Sequence, residues 1–440
     1  MCRGSERRHM ADGGADYARR AREALGFSRW WQVAAVTAMM AAVSPYQYVW
    51  SSVAPPISER LSVAPAALGA VFSLYVAFQS LSQFPAGWWR DRRGPRSLCA
   101  LAALLAGGGY VGLAYATTVP QLYVLYSLGS IGVGIVYTVA VNTAVKWFPD
   151  RTGLTTGLGT MAFAAGSVLA VPYVRANATA EGYPDVLRTV GIVILVVLLA
   201  GAVLLRDPPE EWLDADGFGA DADADTDADA DTDADTTASR RETAYTSREA
   251  VATWQFWLLY AMFVATAGAD LVVVANVVVF ADALGFAGGV VTAAATLLPL
   301  AAGVSRLVLG EITDRFGHRR VMAVSFLLAG VFRFGLVAAG RAGRPVVFVA
   351  LVLAAIAFSS PLYVYFPALL SDYYGSAFSS SNYAVLYTAK VGGGVVAGTL
   401  AGYLAGTAGW GPTFAFGGVL AAGAGLAALA LRPPAGVVRD

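Results

Sequence analysis

The sequence GWWRDRRGPR at residues 87–96 returns in similar form as GEITDRFGHRR at residues 310–320. Both stretches share the pattern G-x-x-x-D-R-x-G-x-R, and each follows a long apolar segment. A single charged turn is common, whereas two copies at equivalent positions indicate that the chain consists of two related halves. We expect each copy to form a tight turn in which glycine allows close helix approach and Asp–Arg pairs hold neighbouring helices together. Such a turn acts as a gate if these contacts hold until the two halves move. The residues to which we assign this gating role are Gly87, Asp91, Arg92, Gly94 and Arg96 in the first copy and Gly310, Asp314, Arg315 and Gly317 in the second.

The composition of the chain is that of a membrane protein. Hydrophobic residues make up 57% of the 440 residues and charged residues 14%, whereas soluble domains carry about a quarter charged residues. The mean hydropathy is +0.58. A chain of this length and apolarity cannot fold as a water-soluble globule, and it has far too many apolar segments for a signal peptide with one anchor.

Twelve apolar windows are long enough to cross a bilayer as helices. They predict an all-α membrane protein with two six-helix halves. The windows are 32–57, 65–88, 96–117, 119–145, 153–174, 186–205, 253–281, 287–312, 320–340, 345–370, 380–405 and 410–431.

The segments outside the windows divide the chain further. We expect an N-terminal tail at 1–30, a first half at 31–205, a linker at 206–250, a second half at 251–432 and a C-terminal tail at 433–440. Residues 214–235 of the linker are almost entirely Asp, Ala and Thr, so like-charge repulsion and the lack of apolar groups predict a disordered spacer. Positive charge fixes the expected orientation, because 22 of the 30 Lys and Arg residues lie in segments that would be cytoplasmic if both termini were inside.

Lys390 is one of only two lysines in the chain, and it lies about ten residues inside an apolar window. An ammonium group at the centre of a membrane helix costs about 2.5–3.5 kcal/mol. To reach an interface its side chain would have to cover about 15 Å of helix rise, which is beyond its length. Tyr387 and Tyr383 share its helix face, so we predict a polar, aromatic binding pocket there.

In its two halves and its repeated turn the sequence resembles the major facilitator superfamily, whose two halves rock about a site at the middle of the membrane. The resemblance covers all but the N-terminal tail and the linker. Within the superfamily the chain is similar to the oxalate/formate antiporter family. The segments that carry this likeness are GVGIVY at 132–137, KWFPDRTGL at 146–154, YFPAL at 365–369, DYYG at 372–375, SNY at 381–383 and LYTAK at 386–390.

This resemblance implies a carboxylate exchanger whose anion is held by two cations in the second half. The family's lysine of the eleventh helix matches Lys390, and its arginine of the eighth helix matches Arg306. The family's aromatic cage falls partly on Tyr363, whereas Ser359 stands where the oxalate transporter carries a large aromatic side chain. The alternative for Arg306 is a structural salt bridge inside the nearby turn motif.

Several further residues are candidates from their position alone. We expect Arg333, in the ninth window, to have a structural role. Asp270 lies in the middle of the seventh window, where a carboxylate is costly. It is either a counter-ion for Lys390 or Arg333, or a proton site whose protonation burial favours. The residues that we assign to the cavity from the first and fourth windows are Tyr46, Gln47, Trp50 and Tyr137, with Gln79 as a weaker candidate.

Together these patterns predict a multi-pass carrier in the cell membrane that moves small organic carboxylates by alternating access, as an anion exchanger. The first alternative is a proton-coupled monocarboxylate symporter that uses Asp270. A membrane sensor that does not transport is an alternative from another class. The expected partners are a small organic anion and the bilayer. No cofactor, metal, nucleic-acid partner or enzymatic activity is expected, and the carrier should be monomeric.

Overall fold

A computed structural model describes residues 19–148, 152–208, 245–375 and 378–434. The described residues are almost wholly helical and contain no strand. Most of the acidic linker, at 209–244, lies outside the described residues, as do residues 149–151 of the KWFPDRTGL segment and both chain ends. The side chains of Asp91 and Asp314 also lie outside the part of the chain that the structure describes.

The first six spans, in chain order, consist of these helices. They are Trp30–Val43, Pro45–Tyr48 and Trp50–Leu61 in the first span, Pro65–Leu81 and Gln83–Arg93 in the second, Pro95–Ala102, Ala103–Gly107 and Gly108–Leu113 in the third, Val119–Trp147 in the fourth, Thr152–Ala165 and Ser167–Asn177 in the fifth, and Tyr183–Leu204 in the sixth.

A short helix, Ser247–Val251, precedes the last six spans. Those spans are Trp254–Ala283, Gly288–Phe316 and His318–Arg341 for the seventh to ninth, Pro345–Ser359 and Leu362–Tyr374 for the tenth, Ser379–Tyr387, Ala389–Val395, Val396–Leu400 and Ala401–Ala408 for the eleventh, and Trp410–Ala430 for the twelfth.

Eleven of the twelve expected spans are helices long and apolar enough to cross a membrane, counted over the described residues. The first span also follows its predicted window, but it is divided into three short helices that bend at Ser44 and Val49. Pro45 lacks a backbone N–H and so cannot continue the hydrogen-bond ladder. The twelve-helix fold with two halves is therefore present, and the break in the first span is a feature that hydropathy does not reveal.

Glycine in the repeated motif has a more specific role than close helix packing. Gly94 and Gly317 have φ of +69° and +87°, in the region that side chains other than glycine rarely adopt. They end the second and eighth spans and turn the chain directly into the next helix. At Gly87 and Gly310, by contrast, an added Cβ would meet neighbouring methyl groups at 3.8 and 3.5 Å, which is ordinary contact. The turn, rather than the helix packing, requires the glycine.

Two of the motif arginines make their observed contacts within their own helices. Arg92 donates to the Trp88 carbonyl at 3.2 Å, and its guanidinium lies 4.1 Å from the Trp88 ring centroid. Arg315 forms an ion pair with Glu311, one turn earlier. These two contacts do not join neighbouring helices, whereas the expected Asp–Arg pairs involve the side chains of Asp91 and Asp314, which lie outside the described part of the chain.

Contacts between helices at the first turn come from Arg90 and from the motif residue Arg96. Arg90, which is buried, donates to the Asp207 carboxylate at 2.8 Å, and Arg96 donates to the Leu205 carbonyl at 3.3 Å. Both partners follow the sixth span, so the turn after the second span is fastened to the end of the first half. We call this end of the bundle the inner end, after its predicted orientation, and the opposite end the outer end.

The two halves pack against each other through three helix pairs. The second span packs against the eleventh, the first against the seventh, and the fifth against the eighth. At the outer end of the second and eleventh spans, a Cβ on Gly398 would overlap the carbonyl oxygen of Gly69. Ser73 Oγ lies 2.9 Å from the Gly394 carbonyl oxygen and 2.9 Å from Thr399 Oγ1. The outer ends of these spans are therefore closed, with backbone against backbone.

This closure predicts a cross-link between the halves. We expect S73C/T399C, with Cys2 and Cys99 replaced by alanine, to form a disulfide because the two parent hydroxyl oxygens are in hydrogen-bond contact. With a protease site placed in the linker, the cleaved halves should run as one band on a non-reducing gel and as two after reduction.

The matched control is S44C/S167C in the same background. Ser44 and Ser167 have hydroxyl oxygens 2.7 Å apart, but both belong to the first half. This pair should cross-link as well, yet the cleaved halves should separate with or without reductant. We call the contact between the outer ends of the second and eleventh spans the outer seam. A Ser73–Thr399 pair that fails to cross-link while the control does would contradict the closure of this seam.

Candidate substrate site

Lys390 is buried at the interface between the halves. It lies two residues after Thr388, where one helix of the eleventh span ends and the next begins, and it is 2% exposed. Its Nζ donates to Gln79 Oε1 of the second span at 2.8 Å and to Tyr387 Oη at 3.3 Å. Both acceptors are neutral. Among the described residues, no carboxylate lies within ion-pair distance of this ammonium group.

Arg306 occupies a comparable position in the eighth span and is 5% exposed. Its Nε and Nη2 donate to Ser360 Oγ at 3.3 and 3.1 Å, and its Nη1 donates to the Thr160 carbonyl of the first half at 3.2 Å. Glu311, the nearby acid that could have formed a structural salt bridge, pairs with Arg315 instead. Arg306 thus also crosses from one half to the other to reach a neutral acceptor.

Tyr363 lies between the two cations. Its ring centroid is 4.9 Å from Arg306 Cζ and 5.5 Å from Lys390 Nζ. The ring quadrupole attracts a cation by about 0.5–2 kcal/mol, which offsets part of the cost of burying each charge. The Tyr363 hydroxyl oxygen is buried and has no hydrogen-bond partner within the described part of the chain.

The tenth span positions these groups because it is broken in the middle. One helix ends at Ser359 and the next begins at Leu362, with Pro361 between them. The break places the Ser360 hydroxyl against Arg306, and Tyr363 follows in the first turn of the second helix. Interrupted helices of this kind supply polar groups at the depth of the membrane where regular helices offer none.

The eleventh span adds two aromatic side chains, Tyr387 and Tyr383, which precede Lys390 in the chain. The Tyr387 ring lies 6.2 Å from the Tyr363 ring and 5.7 Å from the Tyr383 ring, measured between centroids. The predicted pocket residues of the second half, Lys390, Arg306, Tyr363, Tyr387 and Tyr383, are therefore brought together in one buried cluster. Gln79 joins them from the first half.

Two of the predicted residues of the first span, Tyr46 and Trp50, lie away from the cations. The Tyr46 hydroxyl donates to the Ala106 carbonyl at 2.7 Å, and the Trp50 ring lies 4.8 Å from that of Tyr126. Both side chains pack inside the first half, and none of their observed contacts is with Lys390, Arg306 or Tyr363. The structure does not bring Tyr46 and Trp50 to the cations.

The observed contacts of Gln47 and Tyr137 are also with residues of the first half. Gln47 Oε1 accepts from Tyr75 Oη at 3.3 Å. The Tyr137 ring packs edge-on against Phe163, with 5.6 Å between the ring centroids.

Tyr48 is a further candidate of the first span that the sequence reasoning missed. It is buried, its ring centroid lies 6.2 Å from that of Phe163, and its hydroxyl has no hydrogen-bond partner within the described part of the chain. It belongs to a polar stripe of the first span with Ser44, Ser51 and Ser52, whereas Tyr46 and Trp50 belong to the aromatic stripe on another face. The run of small polar residues at helical spacing was the signal that could have identified it.

Asp270 and Arg333, the two remaining intramembrane charges, lie together. Ser359 Oγ donates to Asp270 Oδ1 at 2.6 Å and accepts from Arg333 Nη2 at 3.0 Å. Of the two predicted counter-ion partners for Asp270, Arg333 is the one that shares a hydrogen-bonded link with it. Ser359, which departs from the family pattern, supplies that link.

Comparison with known proteins places this architecture. The sequence model of the Major Facilitator Superfamily matches residues 33–275 and 258–439. The chain belongs to this superfamily. It is a transporter of the plasma membrane with multiple membrane-spanning helices.

Individual relatives agree with this assignment. The oxalate:formate antiporter of Oxalobacter formigenes is 29% identical over 387 residues, which cover 88% of this chain and 87% of the antiporter. An uncharacterised 38 kDa protein of Thermoproteus tenax is 29% identical over 417 residues, covering 92% and 95% of the two chains. The crystal structure of a D-xylose–proton symporter superposes with a TM-score of 0.71 over 91% of this chain and 97% of the symporter, at 15% identity. The last match shows the shared fold.

Two tyrosines of the tenth span provide a test of the unpartnered hydroxyl. We expect Tyr363→Phe to leave the melting temperature of the detergent-purified carrier unchanged or to raise it, because it removes a buried polar atom that has no partner. Tyr365→Phe is the matched control on the same helix, since the Tyr365 hydroxyl bonds to Ser325 at 2.9 Å. This control should lower stability by about 1 kcal/mol. Equal losses in both variants would show that the Tyr363 hydroxyl has a partner inside the protein.

Proposed function

We propose that this transporter moves small organic carboxylate anions by alternating access and that it works as an anion exchanger. Lys390 and Arg306 bind the anion from the second half. Tyr363, Tyr387 and Gln79 complete the pocket. The observation that carries the proposal is the pair of buried cations that hydrogen-bond only to neutral groups among the described residues.

Electrostatics favours an anionic substrate. Two like charges buried near each other repel, and each has lost most of its hydration, so together they destabilise a carrier without a bound anion. A carboxylate relieves both penalties through charge-assisted hydrogen bonds. The site is rich in donors, since Lys390 has three N–H groups and Arg306 has five, and not all are used by the protein contacts. The free Tyr363 hydroxyl and the Gln79 amide nitrogen add further donors.

The geometry favours a small substrate. Because both cations lie close to the Tyr363 ring centroid, they are separated by at most about 10 Å. Hydrogen bonds from both sides occupy more than half of that distance, at about 2.8 Å each. The remaining space fits an anion of a few heavy atoms.

The same contacts supply a reason for exchange. Lys390 and Arg306 belong to the second half, but each donates to an acceptor of the first half, Gln79 Oε1 and the Thr160 carbonyl. Rocking of the halves has to break or move these bonds. With an anion bound, the charges are compensated inside the second half and no longer depend on the first. A carrier without an anion would cross the barrier slowly, which favours exchange over net transport.

Proton-coupled symport through Asp270 is the competing proposal. Its support is a carboxylate that is 1% exposed in the seventh span. Uptake driven by an imposed pH gradient into proteoliposomes without internal carboxylate would select it. Uptake that requires internal carboxylate selects exchange.

The two lysines of the chain make a matched pair of variants. In proteoliposomes preloaded with the substrate anion, we expect Lys390→Gln to reduce exchange by at least about a hundredfold, as expected when a charge-assisted contact worth about 3 kcal/mol is lost. Lys146→Gln should retain exchange, because Lys146 lies in the last turn of the fourth span, away from the pocket. A thermal-shift screen of mono- and dicarboxylates identifies the substrate beforehand, since a ligand of the folded carrier raises its melting temperature. Full exchange by Lys390→Gln would refute the assignment.

The outer seam gives an independent test of alternating access. We expect the Ser73–Thr399 disulfide to stop exchange, because the second and eleventh spans then cannot separate at their outer ends. Reduction should restore it. The Ser44–Ser167 disulfide lies within one half and should leave exchange intact. Exchange that continues through the locked seam would exclude rocking of the two halves as the transport motion.

A further inference from the structure

The second half contains a buried ionic network separate from the two substrate cations. Asp270 and Arg333 are 1% and 0% exposed, and Ser359 Oγ bridges them by donating to the carboxylate and accepting from the guanidinium. Arg333 also donates to the carbonyls of Ala269, Ala329 and Ala355, at 3.3, 2.9 and 3.3 Å. These partners come from the seventh, ninth and tenth spans, all within the second half.

This network differs from the substrate cations in where its hydrogen-bond partners lie, and so in whether rocking of the halves would change them. Arg306 and Lys390 donate to the first half, so their partners change during transport. The observed partners of Arg333 and Asp270 all lie within one half, and in the proposed alternating access each half rocks as a unit. The charge of Asp270 and that of Arg333 therefore compensate each other throughout the cycle.

The network is nevertheless joined to the substrate site. Ser359 and Ser360 are consecutive at the break of the tenth span. The hydroxyl of the first bonds to Arg333 and Asp270, and that of the second bonds to Arg306. A change in the charge balance of the network therefore acts on the substrate site at short range, through a medium of low dielectric constant.

We infer that Asp270 and Arg333 are positioning residues that set the charge selectivity of the carrier. By compensating Arg333, Asp270 holds the net charge of the site at the two positive charges of Arg306 and Lys390. The carrier thereby prefers anions with two negative charges over anions with one. This inference rests on the proposed carboxylate transport and adds to it the residues that decide how many charges the substrate carries.

The decisive variant is Asp270→Asn. An arginine side chain stays protonated in proteins, so the net charge of the site rises from two to three. The affinity for a dianion should then increase more than the affinity for a monoanion. We expect the ratio of the two affinities to rise on the order of tenfold, the effect of one unit charge at about 10 Å for an effective dielectric constant of about 20.

Two further variants separate charge from structure. The double variant D270N/R333Q returns the net charge to two and should return the ratio to that of the unmodified carrier. Ser359→Ala cuts the hydrogen-bonded bridge but keeps both charges, so it should lower stability and leave the ratio unchanged. A merely structural role would lower both affinities together and would not move their ratio.

The measurement uses the full-length carrier in lipid nanodiscs at neutral pH, with malonate and acetate as dianion and monoanion. Calorimetry gives both dissociation constants for each variant. A tenfold rise in Asp270→Asn that the double variant reverses supports the inference. An unchanged ratio in a folded Asp270→Asn variant that still binds malonate overturns it.

Two other outcomes are also decisive. If Asp270→Asn does not fold, the double variant carries the test, and a ratio in it that differs from that of the unmodified carrier by tenfold overturns the inference. If the unmodified carrier binds no mono- or dicarboxylate, the proposed function itself fails. An unchanged ratio in an Asp270→Asn variant that still binds malonate contradicts only the inference about Asp270. The two failures are therefore distinguishable.

Discussion

Two cations buried at the interface between two moving halves are the constraint on which the rest of this structure depends. Lys390 and Arg306 belong to the second half, and each finds a neutral acceptor in the first, Gln79 and Thr160. Such bonds stabilise a buried charge only in part, because a neutral acceptor cannot cancel it. Both charges are therefore only partly compensated among the described residues. In the proposed exchange mechanism the bound anion completes this compensation, which connects substrate binding with the movement of the halves.

The broken helices follow from the same constraint. A regular helix uses its own backbone groups and has little to offer a charge in the membrane. The helices are interrupted at Ser44 in the first span, at Ser360 in the tenth and at Thr388 in the eleventh. The break in the tenth span carries the hydroxyl that binds Arg306, and the break in the eleventh lies two residues before Lys390. Interruptions of the helices thus lie beside both cations.

Charges that lie within one half and charges that cross between halves have different consequences. Arg333 is as deeply buried as Arg306, but its acceptors and the linked carboxylate of Asp270 are in the same half. In the proposed rocking of the halves as rigid bodies, that network stays intact and contributes a constant electrostatic background. After this compensation, the positive charge that remains at the site is that of Lys390 and Arg306. Counting intramembrane charges without their pairing would overestimate the charge of the site.

The sequence by itself determined the fold and singled out Lys390, because twelve apolar windows, a repeated turn and a lysine in the middle of a span are patterns along one dimension. The family resemblance added Arg306 as the second cation. Only the tertiary structure decided which neighbours those residues meet. Gln79 and Lys390 are 311 residues apart, yet the packing of the second span against the eleventh brings the Gln79 amide oxygen within 2.8 Å of Lys390 Nζ. Likewise Asp270 and Arg333 are distant in sequence, and Ser359 joins them only because three spans pack together. Hydrophobicity fixes which segments are buried, whereas helix rotation and packing fix which side chains share a site.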